Sequence, residues 1–362
     1  MPNQETQFLD EVIFSRRALL AGGGAALAVL ALAPKQSLAQ AAVNVYSDAD
    51  ILNFALNLEY LESNFYYLAA FGTTIDVANA SSTAAGAGVM GLSGVTGNNS
   101  AGVSAGVVAN AGISGAPANS TYKVPFVSPV LAGYAVETAV EEGKHVALLR
   151  SALGSSAVSQ PSINLTPALF AALATAAGIT AISPFNPYAN EAAFLIGAYV
   201  FEDVGVSAYH GAAPLIVGKS TILPVAAGIL AVEAYHAGLV RSSLTVADAN
   251  ATYFPQGTLA TVTGQISSYR NAAAQAKAQV PANPEDPNPD DYGLATQLVM
   301  LNTGTAVATQ IVNAAPGSAS APATAFARNT SQILDIVTAG GAVSGSIAMG
   351  AFFPDGLNGL FI

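Results

Sequence analysis

Four apolar-periodic segments of nearly equal length, about 25 residues each, most limit what this chain can fold into: 48–71, 129–153, 187–211 and 222–246. Matched lengths of this kind suit an antiparallel helical bundle, so the expected fold class is all-α. The ends are marked. Ser47-x-x-Asp50 reads as a capping box before the first segment, with Gly72 just past its end. Ser128-Pro129, Thr166-Pro167 and Asn186-Pro187 each place an N-cap residue before a proline at the first helical position. The middle one of these opens a short helix that stops near Gly178. The fourth long segment begins near Thr221 and tolerates Pro224 in its first turn.

The long segments carry carboxylates inside their apolar stripes. One face of the first reads Leu52, Ala55, Glu59, Glu62, Tyr66; the third reads Leu195, Ala198, Glu202, Gly205, Tyr209; the fourth reads Ile229, Glu233, His236, Val240. A carboxylate buried in such a stripe costs several kcal/mol unless it is paired or bound to a cation. The chain has three histidines, His145, His210 and His236, and two of them follow a glutamate by three residues: Glu142-x-x-His145 and Glu233-x-x-His236. Any one such pairing has a chance of about three in a hundred, so two of three is informative where one would be weak. On a helix, positions three apart share a face, so the carboxylate and imidazole can reach one ion. His210 stands outside the pattern near the end of the third segment, where a polar or positive group favours the helix dipole, and is read as structural. Glu62 and Glu141 compete with Glu59 and Glu142, and the Glu-x-x-His spacing selects Glu142.

Glu59, Glu142-x-x-His145, Glu202 and Glu233-x-x-His236, in chain order and one element per long helix, resemble the ligand set of ferritin-like di-iron and di-manganese carboxylate proteins. The strings Leu52-Asn-Phe-Ala-Leu-Asn-Leu-Glu59-Tyr-Leu-Glu62, Glu142-Gly-Lys-His145-Val, Phe201-Glu202-Asp203 and Glu233-Ala-Tyr-His236 are similar to the ferritin-like family that includes desiccation-related proteins. So is the tail Phe352-Phe353-Pro354-Asp355-Gly356-Leu357-Asn358-Gly359. The resemblance implies a ferritin-like four-helix bundle over 45–248, with a loop insertion at 73–125 and a C-terminal extension over 249–362. It also implies two metal ions, with terminal ligation by Glu59, His145 and His236 and bridging or chelation among Glu142, Glu202 and Glu233. Oxygen-rich ligands with one imidazole per ion suit iron or manganese better than copper or structural zinc. Tyr60, Tyr66, Tyr199, Tyr209 and Tyr235 are read as core or interface residues, although a tyrosine beside a metal pair can carry a radical.

The chain has no cysteine, which removes disulfides, thiolate catalysis, iron-sulfur clusters and the rubredoxin-type electron site of some ferritin-like relatives. The insertion and extension depart from cage ferritins and argue against a closed iron-storage shell. With 9% charged residues and a net charge of −11, the surface lacks cations to track phosphates, so nucleic acid is excluded as a partner. Protease, esterase and nucleotide-hydrolase motifs are absent.

At the N-terminus, Ser15-Arg16-Arg17-Ala18-Leu19-Leu20 opens an apolar run to Ala33, followed by Lys35 and the small-x-small pattern Ser37-Leu38-Ala39. Residues 1–39 resemble a twin-arginine signal peptide, which implies export through that machinery to the periplasm or beyond. This run is read as the one stretch continuous enough to cross a bilayer. From 77 to 122 the chain is uncharged and rich in Gly, Ala, Ser and Asn, and is read as a long loop with room for short hairpins. Residues 257–279 read as helix, and 331–337 as a short one. Between those two, Asp286, Asp290 and Asp291 read as a solvated linker, because Pro287 and Pro289 interrupt any calcium-loop spacing. The sequence thus leaves two functions open: a di-metal enzyme handling peroxide, dioxygen or ferrous iron, and a non-catalytic stress protein braced by metal. Self-association into a homo-oligomer is left open as well.

Overall fold

The computed structural model describes residues 46–75, 122–276, 291–294, 298–300, 306–308, 324–340, 343–344 and 347–359. The signal segment, the uncharged insertion from 77 to 121 and the linker aspartates Asp286 and Asp290 lie outside the described residues.

Seven helices are present among the described residues: α1 Asp48–Phe71, α2 Pro129–Leu153, α3 Pro167–Ala176, α4 Glu191–Ala212, α5 Leu223–Ala249, α6 Thr258–Ala276 and α7 Thr330–Val337. Two short antiparallel hairpins belong to the C-terminal extension: β1 Leu298–Met300 with β2 Ala306–Ala308, and β3 Val343–Ser344 with β4 Ile347–Ala348. The helix caps form as the sequence predicts. Ser47 accepts from Asp50 N–H while Asp50 accepts from Ser47 N–H, and Gly72 ends α1 in the left-handed conformation. One start differs. The third long helix begins at Glu191 behind Asn190, whose side chain accepts from Ala193 N–H at 2.9 Å, and not at Pro187. Asn186 instead accepts from Tyr188 N–H at 3.0 Å, a local turn that competes with helix initiation.

Cross-helix contacts show the bundle's directions. Tyr60 meets Arg150 and Ala69 meets Val124, so α1 and α2 are antiparallel. Arg241 meets Asp203, and the space beside Gly205 is filled by Glu233, so α4 and α5 are antiparallel too. Tyr66 donates to Glu202 and Tyr209 to Glu59, which sets α1 against α4 in the same sense. Helices α2 and α4 therefore run the same way, and the chain from 154 to 190, carrying α3, crosses from one end of the bundle to the other.

The four long helices are not equally covered. Nearly every residue of α1 from Ile51 to Ala70 and of α4 from Glu191 to Tyr209 is buried, while α2 and α5 each keep an outer face in solvent. The difference comes from a second layer of α3, α6, α7 and the tail. Phe170 and Phe352 pack on Phe201 and Phe65 with ring centroids 5.1–6.2 Å apart. The tail is fixed by reciprocal amide bonds between Asn358 and Asn57, at 3.0 and 2.9 Å. His210 holds the extension as well, its Nδ1 lying 2.9 Å from the Ala325 carbonyl. A side chain at Gly211 would collide with the Arg328 backbone, so only glycine lets the extension pass there.

Two sequence expectations change. Asp291 is buried, not solvated: Arg270 Nε lies 2.6 Å and Arg328 3.1 Å from its carboxylate, and Ser267 donates to it at 2.7 Å. Its partners lie 21 and 37 positions away, so no local pattern announces them. In addition, the spans Glu191–Leu215 and Leu223–Ala249 are long and apolar enough to cross a membrane by length and composition, beyond the N-terminal run named above. The first is a core helix, 94% buried over its apolar window. Alanine-rich helices with few charges pass the same test as a membrane span.

Candidate metal centre

The stripes read from the sequence meet at mid-bundle. Glu59 from α1, Glu142 and His145 from α2, Glu202 from α4, and Glu233 and His236 from α5 are all buried, five of the six being no more than 1% exposed. Heptad spacing puts Glu59 and Tyr66 on one face of α1 and Glu202 and Tyr209 on one face of α4. Packing the two helices antiparallel then gives a reciprocal arrangement. Tyr209 donates to Glu59 Oε1 at 2.5 Å, and Tyr66 donates to Glu202 Oε1.

Ligand-type atoms gather in two groups, each within 4.8 Å: Glu59, Glu142, His145 and Glu233 form one, and Glu142, Glu202 and His236 form the other. Glu142 belongs to both, which makes it the natural bridge. Glu202 reaches one group only and gives its other oxygen to Tyr66, so its geometry matches that of Glu59 rather than that of a bridge.

The outward atoms of this cluster are satisfied and the inward atoms are not. His236 Nε2 meets Glu141 Oε2 at 2.9 Å, and the tyrosines occupy one oxygen each of Glu59 and Glu202. By contrast, Glu59 Oε2, both oxygens of Glu142 and of Glu233, Glu202 Oε2, His145 Nδ1 and His236 Nδ1 are buried without a hydrogen-bond partner. Seven of these atoms face one another: His145 Nδ1 lies 3.2 Å from Glu59, 3.5 Å from Glu142 and 3.6 Å from Glu233, and His236 Nδ1 lies 2.9 Å from Glu142 and 3.6 Å from Glu202, while the eighth, Glu233 Oε2, lies toward Gly205. Buried polar atoms are satisfied almost without exception in native proteins, so a concentration of this size is the signature of a site for cations. The donor set fits a pair of iron or manganese ions.

Proton equilibria carry the same imprint. Burial pulls His145 down, but Glu59 and Glu142 outweigh it and push it up to about 10. Burial likewise opposes His236, yet Glu202 and Glu142 raise it to about 12. Glu59 is raised to about 7, mainly by burial. Glu62 and Glu233 are driven well above the carboxylate range by burial and by the neighbouring glutamates. Without metal, protons take the place of cations.

Two residues set aside as rivals turn out to belong to the site's surroundings. Glu62, one turn after Glu59, is buried, and a side chain at Gly205 would crowd both Glu62 and Glu233. The position that carries Glu62 on α1 is matched on α4 by Gly205, which leaves the space those carboxylates use. Glu141 is not a member of either ligand group; it holds the ring of His236 from outside. In the Glu-Glu-x-x-His string the second glutamate, the one at the Glu-x-x-His spacing, reaches both ligand groups and the first meets the facing histidine. Of the tyrosines, Tyr60 and Tyr199 are buried in structural hydrogen bonds away from the centre, and Tyr235 is exposed at the α2–α5 surface near Glu137.

Comparison with known proteins agrees with this architecture. Residues 47–246 match the ferritin-like domain model. The chain is 31% identical over 227 residues to the desiccation-related protein PCC13-62 of Craterostigma plantagineum, covering 62% of each chain. It is 26% identical over 229 residues to the ferritin-like catalase Nec2 of Nesocodon mauritianus, covering 63% of each. The chain thus spans a little under two thirds of the length of these curated relatives. No solved structure matches. With the family model spanning all four long helices, and the carboxylate and histidine residues meeting between them, this chain belongs to the ferritin-like domain family.

Proposed function

We propose that the chain binds a carboxylate-bridged pair of iron or manganese ions through Glu59, Glu142, His145, Glu202, Glu233 and His236, and dismutates hydrogen peroxide outside the cytoplasm. The observation that carries this reading is the set of eight buried ligand atoms without a hydrogen-bond partner, seven of which face one another. The similarity to a protein named a ferritin-like catalase favours peroxide over dioxygen reduction or ferrous iron oxidation. Bound there, a redox-active pair would supply two-electron capacity for 2 H2O2 → 2 H2O + O2.

The chain's own residues have separable tasks. Glu142 spans both positions; Tyr66 and Tyr209 hold the free oxygens of Glu202 and Glu59, leaving one oxygen of each to point inward. Glu141 fixes the ring orientation of His236 so that Nδ1 faces the centre. Glu62 keeps a proton on its carboxyl beside the other glutamates, where burial favours the neutral acid. The twin-arginine pattern at Arg16-Arg17 supports export of the folded protein.

The test is oxygen evolution from peroxide by protein loaded with manganese or with iron, followed at an oxygen electrode. Evolution that disappears in Glu142→Ala supports the reading. A loaded protein that evolves none favours the second reading, a desiccation or stress protein whose metal braces the bundle, which the 31% identity to a desiccation-related protein supports. That protein must lose stability on metal removal while showing no turnover.

A further inference from the structure

A cavity of about 70 Å3 lies between the bundle and its covering layer, walled by α1, α3, α4, α6, α7 and the tail. Its rim is made by Leu173, Ala177, Tyr269 and Ala273, all half-buried. Its floor is made by the buried residues Leu58, Phe201, Val204, Gly205 and Glu62. Gly205 is the point of contact with the metal centre, because the missing side chain there leaves the space filled by Glu233 Oε2. The cavity therefore runs from a solvent-facing rim to within one residue of a candidate ligand.

The lining decides what it can hold. Among the described residues it is almost wholly aliphatic and aromatic, a surface that favours apolar guests over polar ones. Among the described lining residues the one cation, Arg270, is committed to Asp291 at 2.6 Å, Asp203 at 3.0 Å and the Tyr199 carbonyl at 2.7 Å, so none of them offers a counter-ion for an anionic head group. The volume is roughly half that of a ~150 Å3 apolar cavity known to admit benzene or xenon. A small, uncharged, apolar molecule fits all three conditions.

We propose that this cavity takes up dioxygen and is the path by which dioxygen leaves the centre between Leu173, Ala177 and Ala273. The proposal rests on the peroxide reading above, in which dioxygen is the apolar product of a polar substrate.

Xenon is the probe, applied to the full chain with and without metal, with methyl chemical shifts as the readout. One saturable xenon site reported by methyls of Leu58, Leu173 and Val204 is expected, and its loss in Ala177→Phe and in Ala273→Phe. These are half-buried rim positions, each serving as the check should the other fail to fold. In metal-loaded, chemically reduced protein, the bimolecular rate with dioxygen, which retraces the exit path, should fall about tenfold or more in both variants while KM for peroxide holds. Wild type without a saturable xenon site would overturn the proposal. So would xenon binding with an unchanged dioxygen rate in both variants. A chain that binds no metal would remove the source of dioxygen, and the xenon shifts would still decide whether the cavity takes an apolar gas.

Discussion

Adjacent residues on α4, Glu202 and Asp203, enter two buried charged clusters that solve the same electrostatic problem in opposite ways. Asp203 joins Asp291 with Arg241, Arg270 and Arg328, where every contact runs from a cation to an anion at 2.6–3.1 Å. Burial pushes Asp291 up, but Arg270 and Arg328 outweigh it and hold the carboxyl below its ordinary value. The chain supplies its own counter-charges, and the network ties α4 and α5 to α6 and the extension. Glu202 joins four other glutamates and two histidines, where the positive charge present is carried by protons and the inward atoms have chiefly one another. Burial alone therefore does not distinguish a structural charge from a functional one. The distinction lies in whether the protein completes the cluster itself.

The comparison is broken most sharply by removing one carboxylate from each side. Asp291→Ala leaves Arg270 and Arg328 buried without it and should cost about 3–5 kcal/mol in denaturant unfolding, with or without metal. Glu233→Gln replaces a carboxyl that burial and the neighbouring glutamates already keep protonated in the metal-free protein, so the melting temperature should hold within roughly 3 °C. The same variant should bind less metal. A large loss of metal-free stability in Glu233→Gln would place this cluster in the same class as the arginine network.

Acidity sharpens the contrast further. In the metal-free protein His145 stands at about 10 against an ordinary 6.5, and Glu59 at about 7 against 4.5. Both are raised, so the folded chain binds protons more tightly than the unfolded one, and stability must fall as pH rises: from 4.5 to 7 through Glu59, and from 6.5 to 10 through His145. Glu142 is lowered and acts in the other sense, contributing above its ordinary range and fading only in acid. The melting temperature of metal-free protein should drop by roughly 5–10 °C between about pH 6.5 and 9, while the loaded protein stays nearly flat. Glu141→Gln weakens the hold on His236 and should lower affinity for one of the two ions by about 10–100-fold, read by competition with a chelator.

Much of this was legible in the chain because it depends on period. Glu59, Glu142, Glu202 and Glu233 fall in apolar stripes, and the two Glu-x-x-His strings fix their own face of the helix; four matched helices then leave one place for those faces to meet. The caps at Ser47, Ser128 and Thr166 are equally local. What was not legible depends on partners far apart in sequence. Asp291 reads as linker because its arginines come from α6 and from the segment before α7. Asn186 and Asn190 both offer a helix cap, and the choice is made by the turn at Tyr188. Glu62 differs from Glu59 only in which neighbour it finally faces, and the outer role of Glu141 depends on a histidine 95 positions away.

Metal content per chain tests the central claim most directly. Wild type exported and purified under metal-replete conditions, and Glu142→Ala/His145→Ala prepared alongside it, would be compared by elemental analysis. The account predicts about two iron or manganese ions per wild-type chain and loss of them in the variant. A wild-type chain without metal under those conditions would contradict it.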